Sequence, residues 1–386
     1  MIDWVLVVGG GKAAAGVTKY LESVLGSHLT DGLVITKHPV ETTTVRTVVG
    51  DHPLPTKRNV CAATELIEIV DAADEETLVF SVVTGGASSL LTVPSGELTV
   101  GELRDITEQL LSAGASIQDI NTVRKHLSNI KGGRLASSAR PATVAGVVLS
   151  DVVGNDLSSI GSGPTVGDDS TFDDAVDVVE QYDIALPPTV REHLDQGVNG
   201  VVDETPSSGS SAFDRVMNHL ICSNRDALTA ARTTAHEHGY DPAILTSRIR
   251  GEAREVGTVV AALAEEVAAG AGIVSSPAVL LAGGECTVTV TDEPGKGGPN
   301  QEFVLSAGLG LQEEAVVAAI DTDGEDGSSE YAGAILESGA IEETERASAH
   351  LGSNDAGSYL EAAGATILTG PTGTNVNDII VVVIPE

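Results

Sequence analysis

The feature that most constrains this chain is a repeated pattern. A short apolar run stops at a glycine-rich loop, and a window of helical periodicity follows. Val5–Val8 ends at Gly9-Gly10-Gly11, and a helical stretch starts near Lys12. Leu33–Thr36 reads as a second strand, and the stretch from Val60 to Val70 as a helix. Leu78–Val83 stops at Gly85-Gly86; Leu103–Ser112 is helical and Val144–Leu149 is a strand. Such βα units predict an α/β fold with a mainly parallel sheet. Open sheets of this kind bind ligands at the carboxyl ends of their strands. A second α/β series follows, with helices at Asp226–His238 and Glu252–Ala269. Its strands are expected at Leu220–Ser223, Val279–Ala282, Cys286–Thr291, Ala315–Ile320, Thr366–Leu368 and Ile379–Ile384. Between the two series, Gln196–Ser211 is rich in Gly and Ser and lacks a helical period. It reads as a flexible connection, which divides the chain into domains 1–210 and 211–386.

A length of 386 residues suits two ordinary domains, and 41% hydrophobic residues exclude intrinsic disorder. A net charge of −35 argues against a nucleic-acid partner. No apolar run approaches the roughly 18 residues of a membrane span, and the start lacks a signal-peptide layout. Cys61, Cys222 and Cys286 are widely spaced, so neither a disulfide framework nor a zinc knuckle follows, and a reducing cytoplasm is expected. Acid residues spread along the whole chain, with few lysines, point to a halophilic microbe and a salt-accumulating cytosol. There, repulsion is screened within about 3 Å at 1 M salt. A melting temperature that does not rise between about 0.1 M and about 3 M potassium chloride would sink that hypothesis.

Several segments carry candidate chemistry. Gly9-Gly10-Gly11-Lys12-Ala13-Ala14 fits G-x-G-x-x-A, so Gly10 and Gly11 are candidates for phosphate binding through backbone amides. The second strand, however, runs into Lys37-His38 where a nicotinamide enzyme places an acid for the ribose. Lys12 is the better candidate, as a phosphate clamp; an ordinary glycine turn is the alternative. Gly85, Gly86 and Ser88 form a second candidate anion nest, with a plain tight turn as its alternative. Residues 121–134 gather Arg124, Lys125, Lys131 and Arg134 in a chain poor in base, which suits a carboxylate or phosphate ligand. Asp151 follows a strand end, a position typical of a general base or a Mg²⁺ ligand. Residues 321–327 resemble half a calcium loop but have Glu330 at the tenth position and no acid at the twelfth.

Nine motifs then carry a family resemblance in order: GGGKAA, DHPLP, TGGASSLL, NTVRKHLSNIKGGRLA, SDVVGNDLSSIGSGPT, LAGGECTVTV, NQEF, DTDGEDG and TGPTGTNVND. Together they span nearly the whole chain, which resembles the glycerate 2-kinase family with a C-terminal MOFRL domain, a group also described as hydroxypyruvate reductases. The resemblance implies a Rossmann-like N-terminal α/β/α domain and a smaller C-terminal α/β region holding the MOFRL domain at about 276–384, with a cleft between. It implies ATP-dependent phosphorylation of D-glycerate to 2-phosphoglycerate with Mg²⁺. The partners expected are glycerate and ATP, with no nucleic acid or membrane and a homodimer left open. Catalysis is expected from Lys12, Arg124 and Asp151, with substrate contacts from Gly10, Gly11, Gly85, Gly86, Ser88 and Lys131. Glu285, Asn300, Asp323, Thr372, Asn375 and Asp378 are expected on the nucleotide side. Two departures stand out. Relatives usually carry a helical segment before the first strand, and Pro299 replaces the arginine of their Gly-Arg-Asn-Gln-Glu motif. A reductase and an inactive acidic-ligand-binding paralogue remain as alternatives.

Overall fold

The computed structural model describes residues 2–386. The strands in chain order are β1 (Trp4–Gly10), β2 (Asp31–Thr36), β3 (Arg46–Val49), β4 (Thr77–Val83), β5 (Thr143–Leu149) and β6 (Val216–Cys222). They continue with β7 (Asp241–Ile249), β8 (Ala278–Gly284), β9 (Val316–Asp321), β10 (Gly333–Glu337), β11 (Thr366–Ile367) and β12 (Asp378–Ile384). The chain divides into two units between Ile221 and Cys222.

In the first unit the sheet order is β3-β2-β1-β4-β5-β6, the arrangement of a Rossmann-type doubly wound sheet. The registered pairs from β3 to β5 are all parallel. Runs such as Val5–Val8 are buried from end to end because helices cover both faces of a central parallel strand. Helix starts follow local chemistry. Thr56, Thr99 and Thr171 each form a reciprocal capping box with the residue three positions on (Asn59, Glu102 and Asp174). A separate apolar cluster around Phe172, Leu110 and Leu127 packs the helices Val100–Ser112, Ile117–His126 and Phe172–Gln181 together.

The second unit corrects the parallel expectation. Its sheet runs β11-β10-β9-β12-β8-β7, with only β7–β8 parallel and the other pairs antiparallel. The antiparallel entry of β12 sets its first residue, Asp378, opposite both Gly284 and Asp321. One end of this sheet therefore gathers the carboxyl ends of β8 and β9 with the amino end of β12. The helix Pro299–Gly310 is buried along Asn300–Gly308. Its Phe303 and Leu305 share a core cluster with Val317 and Leu336.

Other local expectations also change. Cys286–Thr291 is not a strand: it makes one bridge, Thr287 to Glu252, and the Glu252 carboxylate takes the Thr289 amide. The segment expected as a flexible connection is tied down. Asp168 N–H donates to Pro206 O, and Asp169 accepts from the Ser208 amide and hydroxyl. β7 escaped notice because it opens on Asp241-Pro242, and the helix Pro299–Gly310 because a helix buried all round shows no amphipathic period.

Candidate functional site

The glycine loop after β1 is a tightly built turn. Gly11 adopts φ +139°, and a Cβ there would sit 2.1 Å from Thr84 Oγ1, so only glycine fits. Its amides are already engaged. Gly11 N–H donates to Ile35 O, Lys12 N–H to Gly85 O, and Ala13 N–H to Thr84 Oγ1. The amide-nest expectation thus gives way at Gly11 to a shaping role: the loop locks the ends of β1 and β4 together and presents the Lys12 side chain. Lys12 is half-buried. A Cβ on Gly86, itself at φ +80°, would meet His52 Nε2 at 3.2 Å and Lys12 Cγ at 3.3 Å. Lys12, His52 and Gly86 are therefore immediate neighbours.

The basic run 121–134 is sorted by the fold into two fates. Lys125 makes a buried ion pair with Asp168, 3.2 Å, and Thr205 also donates to that carboxylate. Arg134 donates to Asp203 O at 3.0 Å. Arg124 and Lys131 instead line a cavity of about 400 Å³ in the first unit, together with His52, Gly86 and Ser88. Lys131 Nζ donates to Ser88 O at 2.6 Å and Leu91 O at 3.0 Å. Burial, reinforced by the neighbouring Arg124 charge, brings the Lys131 ammonium down to about 7. Burial also lowers the Arg124 guanidinium, whose Nε reaches Thr107 Oγ1 at 3.5 Å. A hydroxyl relay backs the cavity: Ser162 Oγ donates to Asn121 Oδ1 at 3.0 Å and lies 3.3 Å from Ser88 Oγ. Ser162 is fully buried and holds φ +61°, a conformation rare outside glycine. Ser162 and His52 were not singled out as site residues in the sequence, because each depends on a contact across tens of residues. Asp151 stands half-buried just past β5 and is not among the residues lining this cavity.

In the second unit the late motifs converge on one end of the sheet. Thr372 N–H donates to Asp323 O at 3.1 Å, Val376 N–H to Thr322 Oγ1 at 2.8 Å, and Asn377 N–H to Asn375 Oδ1 at 3.2 Å. Asn300 Nδ2 bridges two carboxylates, Asp378 Oδ1 at 2.7 Å and Asp326 Oδ1 at 3.2 Å. Asp326 also accepts the Asn300 and Gln301 amides, capping the Pro299–Gly310 helix. Burial raises Asp326 to about 6, opposed by those amides. Burial raises Asp378 to about 7, with the Asp326 charge adding to it. The Cys286 amide donates to Asp378 Oδ2, and burial beside these acids pushes the Cys286 thiol up to about 12. Glu285 is exposed at the end of β8. Asp326 was missed as a site residue because it looked like one acid among many. Its position three residues past Asp323 gave no hint that it caps a helix starting earlier in the chain.

Pro299 occupies the first turn of its helix, where a backbone N–H has no intrahelical partner, so the proline removes no needed donor. Arg254, the arginine at the start of the helix Ala253–Ala268, is engaged 3.2 Å from the buried Glu302 carboxylate. Among the described residues no three His, Cys, Asp or Glu side chains are grouped to hold a metal ion. That does not conflict with Mg²⁺ brought on nucleotide phosphates, which takes only one or two protein carboxylates.

A Rossmann-type unit with cations on a cavity, followed by a mixed-sheet unit with an acidic edge, describes a two-domain α/β protein. Comparison with known proteins makes the class specific. Residues 2–195 match the domain of unknown function DUF4147, and residues 278–378 match the MOFRL family. A glycerate 2-kinase of Pyrococcus horikoshii is 36% identical, with 98% of this chain and 87% of that protein covered. An Agrobacterium vitis relative, provisionally named a hydroxypyruvate reductase, is 38% identical over 97% of this chain and 86% of its own length. The crystal structure of a Thermotoga maritima glycerate kinase superposes with a TM-score of 0.88 at 36% identity, covering 100% of this chain and 92% of that one. The chain belongs to the glycerate 2-kinase family that combines DUF4147 and MOFRL domains.

Proposed function

We propose that this protein transfers the γ-phosphoryl group of ATP to the 2-hydroxyl of D-glycerate. The observation that carries the reading is the convergence of His52, Gly86, Ser88, Arg124 and Lys131, from three separate motifs, on one cavity. Phosphoryl transfer needs positioning and charge neutralisation more than covalent chemistry. Arg124 and Lys131 supply the charge for the substrate carboxylate, and Ser88 the hydroxyl. Lys12, presented by its locked turn beside Gly86, neutralises the transferring phosphoryl oxygens. Asp151 accepts the proton of the 2-hydroxyl or holds Mg²⁺, which screens phosphate charge when bound. In the second unit, Glu285, Asn300, Asp323, Thr372, Asn375 and Asp378 serve the nucleotide. A hydride-transfer reading lacks its ribose-binding acid, since Lys37 and His38 follow β2. The test is incubation with ATP, Mg²⁺ and D-glycerate, resolving 2- from 3-phosphoglycerate. No phosphorylated product retires the reading, and 3-phosphoglycerate overturns its regiochemistry. Arg124→Lys, which loses a bidentate fork, should raise the KM for glycerate far more than that for ATP. Equal rises would move Arg124 off the carboxylate.

A further inference from the structure

The cavity of the first unit is chemically lopsided. Its cationic end holds Arg124 and Lys131, neither of which forms an ion pair with a carboxylate among the described residues. Arg104 and Glu108 add one charge of each sign to its lining. The rest of the wall is largely hydrocarbon, with Leu103, Ile106 and Leu110 on one helix, Val123 on the next, and Leu127 just past the end of that second helix. Leu54 and Leu111, 41% and 58% exposed, also line it, which is unusual company on a chain of charge −35. Glycerate offers nothing apolar to such a wall, because its third carbon carries a hydroxyl. A volume of about 400 Å³ also exceeds what a three-carbon acid fills. Cavities of about 300–1,000 Å³ with apolar walls and a few convergent polar groups commonly hold larger ligands.

We infer that this cavity binds 2-hydroxy monocarboxylates with alkyl tails longer than that of glycerate, the carboxylate at Arg124 and Lys131 and the tail along Leu103, Ile106 and Leu110. The inference rests on the placement of the glycerate carboxylate proposed above, so these acids compete with glycerate. Each methylene moved from water onto the apolar wall strengthens binding by a roughly constant factor, whereas a polar pocket would show none.

The experiment is titration calorimetry of the full chain with lactate, 2-hydroxybutanoate, 2-hydroxypentanoate and 2-hydroxyhexanoate. Glycerate phosphorylation is assayed on the same preparation, with each acid as inhibitor. Affinity should rise about threefold to fourfold per methylene, with inhibition competitive against glycerate. Leu103→Trp, or Leu111→Trp should the first fail to fold, should flatten the series. Equal affinities across the series in an active kinase overturn the inference alone. A slope that survives both tryptophan variants, or inhibition that is not competitive, also overturns it. A steep series in a protein that does not phosphorylate glycerate retires the kinase reading instead.

Discussion

The first unit sets half-buried Arg124 and buried Lys131 against an apolar cavity, and the second buries Asp326 and Asp378 around one asparagine. Both sites move their groups towards neutrality, and in both the first cause is loss of water. Lys125–Asp168 shows the contrasting solution, a buried cation with its own carboxylate, held further by Thr205. That pair is architecture. A buried charge without an opposite partner is a cost that folding alone does not require, and such groups concentrate where ligands bind. The two units thus hold groups of opposite charge without an ion-pair partner, cationic on the side proposed for the carboxylate and acidic on the side proposed for the nucleotide.

The largest effect should come from breaking the compensated pair. Lys125→Met leaves Asp168 buried without its cation and should cost about 3–5 kcal/mol of stability. Lys131→Met strands only two carbonyl acceptors and should cost clearly less in the same denaturant titration. Equal losses would erase the distinction between the two lysines. Next in size, Lys12→Ala should reduce kcat by about 10²-fold or more, since one transition-state charge contact contributes roughly 2.7–4 kcal/mol. Its melting temperature should change little, because the turn is held by backbone bonds, and near-wild-type turnover would remove Lys12 from the chemistry.

The acidic site should show itself through pH. Asp378 has a folded pKa raised to about 7 from 3.8, so its folded form holds a proton that the unfolded chain has released. Its contribution to stability is present at low pH and fades as pH rises from about 4 through about 7. Asp378→Asn cannot ionise. Its stability relative to wild type should therefore climb between pH 5 and pH 8, by an amount on the order of 2 kcal/mol in denaturant titrations. A difference that stays flat with pH would show that the carboxylate is not held neutral.

The smallest effect expected is at Pro299. An arginine in the first helical turn loses only the proline's fit to that position and adds a cation near Asp326. Pro299→Arg should raise kcat/KM for glycerate severalfold, on the order of 1 kcal/mol, with little shift in melting temperature. An unchanged or lower value would show that this chain has met the charge requirement another way.

Much of this was legible in one dimension. β1, β4 and β5, the glycine turns after β1 and β4, and the helix Lys57–Asp71 follow from apolar runs, glycine stops and periodicity, because those signals are local. The basic stretch was visible too, yet its residues could not be told apart. Arg124, Lys125, Lys131 and Arg134 lie within fourteen positions, and only their partners at Thr107, Asp168, Ser88 and Asp203 separate cavity-lining cations from structural ones. In the second unit the motifs were readable and their assembly was not. Whether β12 enters parallel or antiparallel is decided by pairing across nearly a hundred residues from β8, and that choice puts Asp378 beside Asn300. Sequence alone determined which residue types and which turns are available to this protein. The tertiary structure decided which charges are paired and which remain unpaired, because desolvation and distance between remote segments exist only once the chain is folded.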